Sequence, residues 1–385
     1  MPDGSPKFEL TLHPHIAEIG QPAWDAIAGP ENPFVSYAFL SALEDSGSVG
    51  GRTGWHPRYA ALHNQSGQLT ALAPAYAKTN SYGEYVFDHA WANAMERAGG
   101  RYYPKLQIAV PFSPVPGPRL LTKPGFPAAT LAAALTQAAK KLGCSSVHAT
   151  FTTAAEWTAL GEAGWLQRLG TQFHWDNNNY TTFDDFLATL SSRKRKAIKR
   201  ERRDAAQNLT IKALTGADLT PKIWDYFYKF YLSTVDRKWG GAYLTREFFT
   251  LLGQRMPEKV VLMIAERDNT PIAGALNLRG AEALYGRNWG SVEDVPFLHF
   301  ELCYYQAIDF AIAHKIPRVE AGAQGEHKIQ RGYTPKPTFS VHWIENPGLS
   351  RAVENFLASE RPAILETMAA LEAESPYKKT GDTDS

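Results

Sequence analysis

Apolar residues recur along the chain with two periods. Stretches in which alternate residues are apolar predict strands, and longer stretches with apolar residues three or four apart predict helices. Residues 55–76 open with Trp-His-Pro-Arg. They continue as a strand from Tyr59 to Leu62, a polar turn from His63 to Gly67 and a strand from Leu69 to Tyr76. Residues 258–289 repeat the order, with strands at 260–265, 272–278 and 283–289 and a turn at 266–270. Gly67 and the pair Asp268-Asn269 tolerate the positive φ that tight hairpins need. Each region then leads into a helix and a return strand. These fall at 128–141 and 145–151 in the first half, and at 298–314 and 317–321 in the second.

A meander followed by a helix and a return strand, met twice, predicts an α+β fold. Two tandem domains are expected, each a mixed twisted sheet flanked by helices. The alternative is that an ordinary α/β chain gives this order twice by chance. The expected bounds are 1–180, 181–345 and a C-terminal helical segment with a polar tail at 346–385. The first half carries an insertion, 78–104, rich in aromatic and acidic residues. Such an insertion is either functional or a helical lid that packs its aromatics inward. Between the halves Thr181-Thr182-Phe183-Asp184 supplies an N-cap and early acids for a helix. The run Arg193 to Arg203 follows, with eight basic residues in eleven. The segment 349–373 reads as one or two amphipathic helices interrupted by Pro362.

Composition narrows the class. The chain has 385 residues, 44% hydrophobic and 21% charged, which is enough for a sizeable core. The net charge of +1 gives no global attraction to nucleic acid or an anionic membrane. Two distant cysteines fit a reducing compartment, and no signal peptide or bilayer-length apolar run is evident. A cytoplasmic protein without integral membrane association is expected.

Four constellations carry candidate chemistry. In the basic helix, Arg193, Arg195, Lys196, Lys199 and Arg200 suit phosphates of RNA or of a nucleotide-linked substrate, or form a solvated surface. The segment Glu320 to Tyr333 starts at a strand end and contains three glycines. There Glu320 and Gln324 suit ligand contact. Glu326 or His327 suits a base, and Lys328 and Arg331 suit charge stabilisation in an acyl transfer. A charged surface hairpin is the plainer reading. Tyr285, Asn288 and Trp289 lead to His299 at a helix start, where an anion could sit or where core packing alone accounts for them. Arg237 closes an aromatic helix, as a phosphate or carboxylate contact or as a helix cap. The insertion adds Tyr82, Glu84, Asp88 and Trp91 as one wall of a site. The chain has no Walker loop, GxGxxG, HExxH, GxSxG or zinc-type cysteine-histidine spacing, and its eleven histidines are scattered, so neither a metal nor a bound cofactor is expected.

These motifs resemble a known family. Leu284-Tyr285-Gly286, the helix from Tyr304 to Ala311, the strand Arg318 to Gly322 and the closing Gln330-Arg331-Gly332-Tyr333 resemble the end of FemAB-type aminoacyltransferases. The run Leu190 to Arg200 resembles the basic helix that opens their second domain, and Arg237 matches an arginine that contacts substrate phosphate. Asn32-Pro33-Phe34, Ser81 to Asp88 and Gly99 to Lys105 resemble the FemAB-like subgroup. The resemblance covers residues 30–345. It implies two tandem GNAT-like domains with a cleft between them and transfer of an acyl or aminoacyl group to an amine. The implied donor is aminoacyl-tRNA and the implied acceptor a cell-wall precursor. Where the family has Phe-Lys-x-Gly-Phe, this chain has Ile329-Gln330-Arg331-Gly332-Tyr333, and the usual GNAT pyrophosphate signature is absent from both halves. Three functions are therefore expected: an N-acyl or aminoacyltransferase, the same enzyme using acyl-coenzyme A or a carrier thioester, or a non-catalytic RNA- or nucleotide-binding protein.

Overall fold

The structure is a computed structural model. It describes residues 8–235, 241–323 and 325–378, with the backbone alone of Glu326. The chain divides into two units. The first runs to Gly170 and takes up Thr338–Ile364, and the second comprises Thr171–Pro337 and the chain from Leu365 on.

In the first unit, one antiparallel sheet orders the strands Glu9–His13, Tyr59–His63, Leu69–Ala73 and Leu121–Thr122. A second set runs Trp55–Pro57, Ala75–Lys78, Lys105–Ile108 and Ser146–Thr152, continued by the end of Thr334–Ile344. The single strand expected from Leu69 to Tyr76 is thus two strands. Pro74 separates them, and its missing N–H ends one ladder before the next begins. Lys105–Ile108 and Ser146–Thr152 pair in parallel across the helix Ala128–Lys141. That helix buries Leu131, Ala132, Leu135 and Ala139 with Leu106, Ile108, Val147, Ala149 and Val341 of the sheet.

Because strand side chains alternate, the other face of this sheet carries Lys105, Gln107, Ser146, His148, Thr150, Ser340 and His342. Such a face normally meets water, yet all seven are buried. The insertion packs against it. This is a loop to Asp88 followed by the helix His89–Arg97, with Trp91 against the His342 ring at 4.9 Å. Trp91 and Tyr102 point inward, whereas Tyr82, Tyr85 and Phe87 are exposed.

The second unit orders the strands Thr210–Leu214, Val260–Arg267, Thr270–Arg279, Ala283–Ser291 and Arg318–Glu320, then the end of Leu166–Asp176. Asp268 and Asn269 have φ of 48° and 61°, as a two-residue hairpin turn requires. Ala283–Ser291 and Arg318–Glu320 pair in parallel, as the corresponding strands do in the first unit. The aromatic helix Pro221–Val235 lies so close to Gly290 that a Cβ there would meet the Phe230 carbonyl oxygen at 1.7 Å. The expected helix 298–314 is interrupted. It runs Leu298–Phe300, a π-turn Glu301–Tyr305, then Gln306–Ala313. Thr182 and Asp185 form a capping box that starts a short helix, Phe183–Ala188, and the basic run is a separate helix, Ser192–Ala205. The helix Pro347–Ala373 continues through Pro362.

Candidate active site

In the second unit, the chain leaves the strand Arg318–Glu320 through Gly322 and Gly325, both at positive φ, and forms the 3-10 turn Glu326–Arg331. His327 is exposed, and its Nε2 lies 2.9 Å from the Tyr304 hydroxyl. Phe300 and His299 flank the imidazole at 5.3 Å and 6.1 Å between ring centroids. Partial desolvation, then Arg331 and Lys328, lower the His327 pKa from its ordinary value, which favours the neutral ring at pH 7. A Cβ at Gly325 would meet the imidazole carbon Cε1 at 2.3 Å, so only glycine lets the ring lie where it does.

The two cations of this segment turn inward. Arg331 binds the Glu201 carboxylate at 2.9 Å and 3.0 Å, donates to the His327 carbonyl at 2.8 Å and covers the Phe300 ring at 3.4 Å. Tyr305 donates to the same Glu201. Lys328 is buried, donates to the Gly322 carbonyl at 3.2 Å and lies over Phe173. These contacts fix the turn beneath His327.

Other residues flagged in the sequence lie nearby or elsewhere in this unit. His299 packs at a tilt against Trp289, 5.0 Å between ring centroids. Asn288 is half-buried on the strand Ala283–Ser291. Tyr285 is buried, and burial followed by Glu320 pushes its hydroxyl up to about 12. Glu320 is buried against Arg318 at 2.8 Å, and burial raises its pKa despite that arginine. On the basic helix, Arg193, Lys196, Lys199 and Arg200 are exposed, and Arg195 is half-buried. Lys199 pairs with Asp184 at 2.8 Å. Arg202 instead turns inward to Glu301 and Asp309. Arg237, Gln324 and the Glu326 side chain lie outside the described residues.

The first unit holds a second set of buried ionisable groups. Lys105 Nζ contacts Glu84 at 2.7 Å, Ser81 at 2.9 Å and Asp88. Asp88 also accepts from Tyr102 at 2.7 Å. Lys78 donates to the Tyr82 carbonyl at 3.1 Å and sits 3.8 Å above the Trp55 ring. Both lysine side chains are 0% exposed. Burial lowers Lys78 to about 7 and raises Glu84 to about 7. Burial also works against the Asp88 charge, but Lys105 outweighs it and holds that carboxyl low. His148 Nε2 approaches Ser146 at 2.8 Å and Tyr102 at 3.3 Å, and its Nδ1 meets His342 Nδ1 at 2.7 Å. Trp91 packs on both imidazoles, under the Arg168 guanidinium at 5.1 Å. Tyr82 itself is exposed and joins through its carbonyl. Lys78, Lys105, Tyr102, His148, His342, Glu201, Tyr304 and Tyr305 were not named as site residues from the sequence, although Tyr102, Lys105, Tyr304 and Tyr305 stand in motifs that carry the family resemblance. Among the described residues no group of three or more His, Cys, Asp or Glu side chains is placed to hold a metal ion.

By architecture this is an α+β protein of two mixed-sheet units, each closing on a helix and a parallel return strand. Residues 15–379 match the FemAB-like family, described as peptidoglycan biosynthesis/recognition, and the chain belongs to that family. Its fold is similar to that of FemX, with a TM-score of 0.53 and 12% identity over 90% of this chain and 100% of that one. It is similar to L-PGS from Bacillus licheniformis, at 0.51 and 11% over 86% and 98%. It is also similar to the C-terminal domain of a protein named lysylphosphatidylglycerol synthetase from Agrobacterium fabrum, at 0.52 and 10% over 87% and 94%. No curated protein matches the chain. No helix among the described residues is long and apolar enough to cross a membrane.

Proposed function

We propose that this protein is an N-acyltransferase or aminoacyltransferase that moves an acyl or aminoacyl group onto an amine acceptor, a small amine or a cell-wall precursor. The family description and the names of the similar structures support that class. The observation that carries the reading is the Tyr304–His327 pair, an exposed neutral imidazole held by a buried tyrosine at 2.9 Å.

An amine arrives as an ammonium and attacks only after losing a proton. In the tautomer whose Nε2–H donates to Tyr304, Nδ1 of His327 takes that proton. The amine nitrogen then bonds to the donor's carbonyl carbon and releases its second proton to water, which leaves the single N–H of an amide. The bond from that carbon to the donor oxygen or sulfur breaks, and the imidazolium returns its proton to the leaving group. The exposed Arg193, Lys196, Lys199 and Arg200 suit a phosphate-bearing donor, either aminoacyl-tRNA or acyl-coenzyme A. Two free cysteines and the lack of a membrane-length helix among the described residues support a cytoplasmic reaction.

The test is transfer from labelled aminoacyl-tRNA or acyl-coenzyme A to an amine panel by the full chain. His327→Ala is expected to lower kcat by about 100-fold, within the range for loss of a general base. Tyr304→Phe is expected to lower it less. Full activity in His327→Ala would remove His327 as the base. Salt-sensitive RNA binding with no transfer from either donor would favour the non-catalytic alternative.

A further inference from the structure

We infer that the buried polar sheet face of the first unit, closed over by residues 79–104, is a binding site for a primary ammonium group. The site is built from Glu84, Asp88 and Gln107 around Lys105. It goes beyond the transfer chemistry proposed at His327, which lies in the other unit.

The argument starts from which atoms lack partners. Three buried side-chain atoms have no hydrogen-bond partner: Glu84 Oε1 and Asp88 Oδ1 on the covering loop, and Gln107 Oε1 on the sheet face beneath it. All three are acceptors. Each carboxylate spends its other oxygen on Lys105, and the Gln107 amide nitrogen donates to Thr150 at 3.0 Å. Glu84 Oε1 lies 3.9 Å from Lys78 Nζ, beyond hydrogen-bond reach. Leaving a buried acceptor unmet costs about 1–3 kcal/mol, more for a charged one, so three such atoms call for a donor. A primary ammonium offers three N–H donors.

The lysines argue against an anion. The Lys105 amine already serves Ser81, Glu84 and Asp88, and Lys78 serves the Tyr82 carbonyl and Asn80. Lys105 offers an anion no donor without first breaking one of these contacts, and Lys78 has at most one to spare, and only when it is protonated. Above pH 7 the charge balance favours a cation. Glu84 and Asp88 are then both ionised, whereas Lys105 stays charged and Lys78, lowered to about 7, is largely neutral. His148 and His342 are neutral and add no charge. Trp55, Tyr102 and Tyr103 contribute ring faces toward the two amines, an environment that also suits a cationic ligand.

Thermal unfolding and calorimetric titration of the full chain at mildly alkaline pH test this, with three probes of like charge. Methylamine and Nα-acetyl-lysine amide have a primary ammonium, while tetramethylammonium has no N–H. Both primary amines are expected to raise the melting temperature with saturation, and tetramethylammonium to leave it unchanged. A stronger effect from acetyl-lysine amide would mean that the group is presented on a larger molecule, and a stronger effect from methylamine that it is a free small amine. Gln107→Met removes one unmet acceptor without breaking an ion pair and is expected to weaken the primary amines about tenfold. Circular dichroism of that variant checks its fold. Equal shifts from all three cations, no shift from any, or unchanged affinity in folded Gln107→Met would each overturn the site. None of these readouts depends on transfer activity.

Discussion

His148 and His342 lie 194 residues apart in sequence and meet Nδ1 to Nδ1 at 2.7 Å, because strand pairing sets them directly opposite. One ring must donate and the other accept. If His342 donates, its Nε2 accepts from Ser340 and His148 Nε2–H turns to Tyr102 or Ser146. If His148 donates, every role reverses. Both arrangements satisfy all partners. His342→Leu would leave His148 Nδ1 unmet at a cost of about 1–3 kcal/mol. The double variant His148→Leu/His342→Leu is expected to cost less than the two single changes added together. Denaturant unfolding of the four proteins measures the coupling, and simple additivity would refute it.

Acid should destabilise the chain. Burial lowers His148 and His174 from 6.5 to about 3, and His342 in the same direction. The folded state therefore binds fewer protons than the unfolded one across that window. Its stability is intact above 6.5 and is lost as pH falls toward 3. Glu84, raised from 4.5 to about 7, opposes this, since its extra native proton favours the folded state as pH drops through 7. Glu320 is raised as well, so three buried imidazoles stand against two carboxyls, which leaves a net loss of about 1.4 kcal/mol per pH unit for each net proton. Urea midpoints measured from about pH 7 to about pH 5 should fall. A midpoint that rises with acid would contradict the signs.

Lys105 holds two buried carboxylates, so Lys105→Met should be among the most damaging substitutions in the first unit. Removing one partner of a buried ion pair typically costs about 3–5 kcal/mol. Adding Glu84→Gln and Asp88→Asn to Lys105→Met should restore part of that loss, because the stranded charges go with the lysine. Equilibrium unfolding would show it, and a triple variant less stable than the single would argue against charge as the cause.

Gly325→Ala separates the placement of His327 from its presence. The new methyl group would occupy the space of the imidazole, at a φ of 97° that side chains rarely adopt. Transfer activity is expected to fall nearly as far as in His327→Ala, with the melting temperature shifted by only a few degrees. Wild-type activity would mean the ring need not stay on Tyr304.

The repeated meander, helix and return strand were legible because their apolar faces are continuous: Leu131, Leu135 and Ala139 on one helix, Leu106, Ile108 and Val147 on the strands beneath. The first unit's charged cluster was only half legible. Glu84 and Asp88 stood out in an acidic insertion. Lys105-Leu106-Gln107-Ile108 reads as a strand with one wet face, and only the covering insertion turns that face into an interior. His148 and His342 gave no local signal, since their meeting depends on register between distant strands. In the second unit, glycines and mixed charge drew attention to Glu320–Tyr333. Tyr304 reads as one more apolar helix position, and its hydroxyl matters only because of where the helix is locally widened.

That widening has a consequence of its own. In a regular α-helix, neighbouring side chains diverge by about 100° around the axis, since 3.6 residues complete a turn. The i→i+5 turn Glu301–Tyr305 narrows that divergence. Tyr304 and Tyr305, adjacent in sequence, are thereby turned toward the same segment, one at His327 and the other at Glu201. Glu201 in turn anchors Arg331 at the far end of the turn that bears His327. One surplus residue in a helix thus behaves as a gauge block. It sets the spacing between the imidazole and its anchor, and excising it would knock both out of alignment at once.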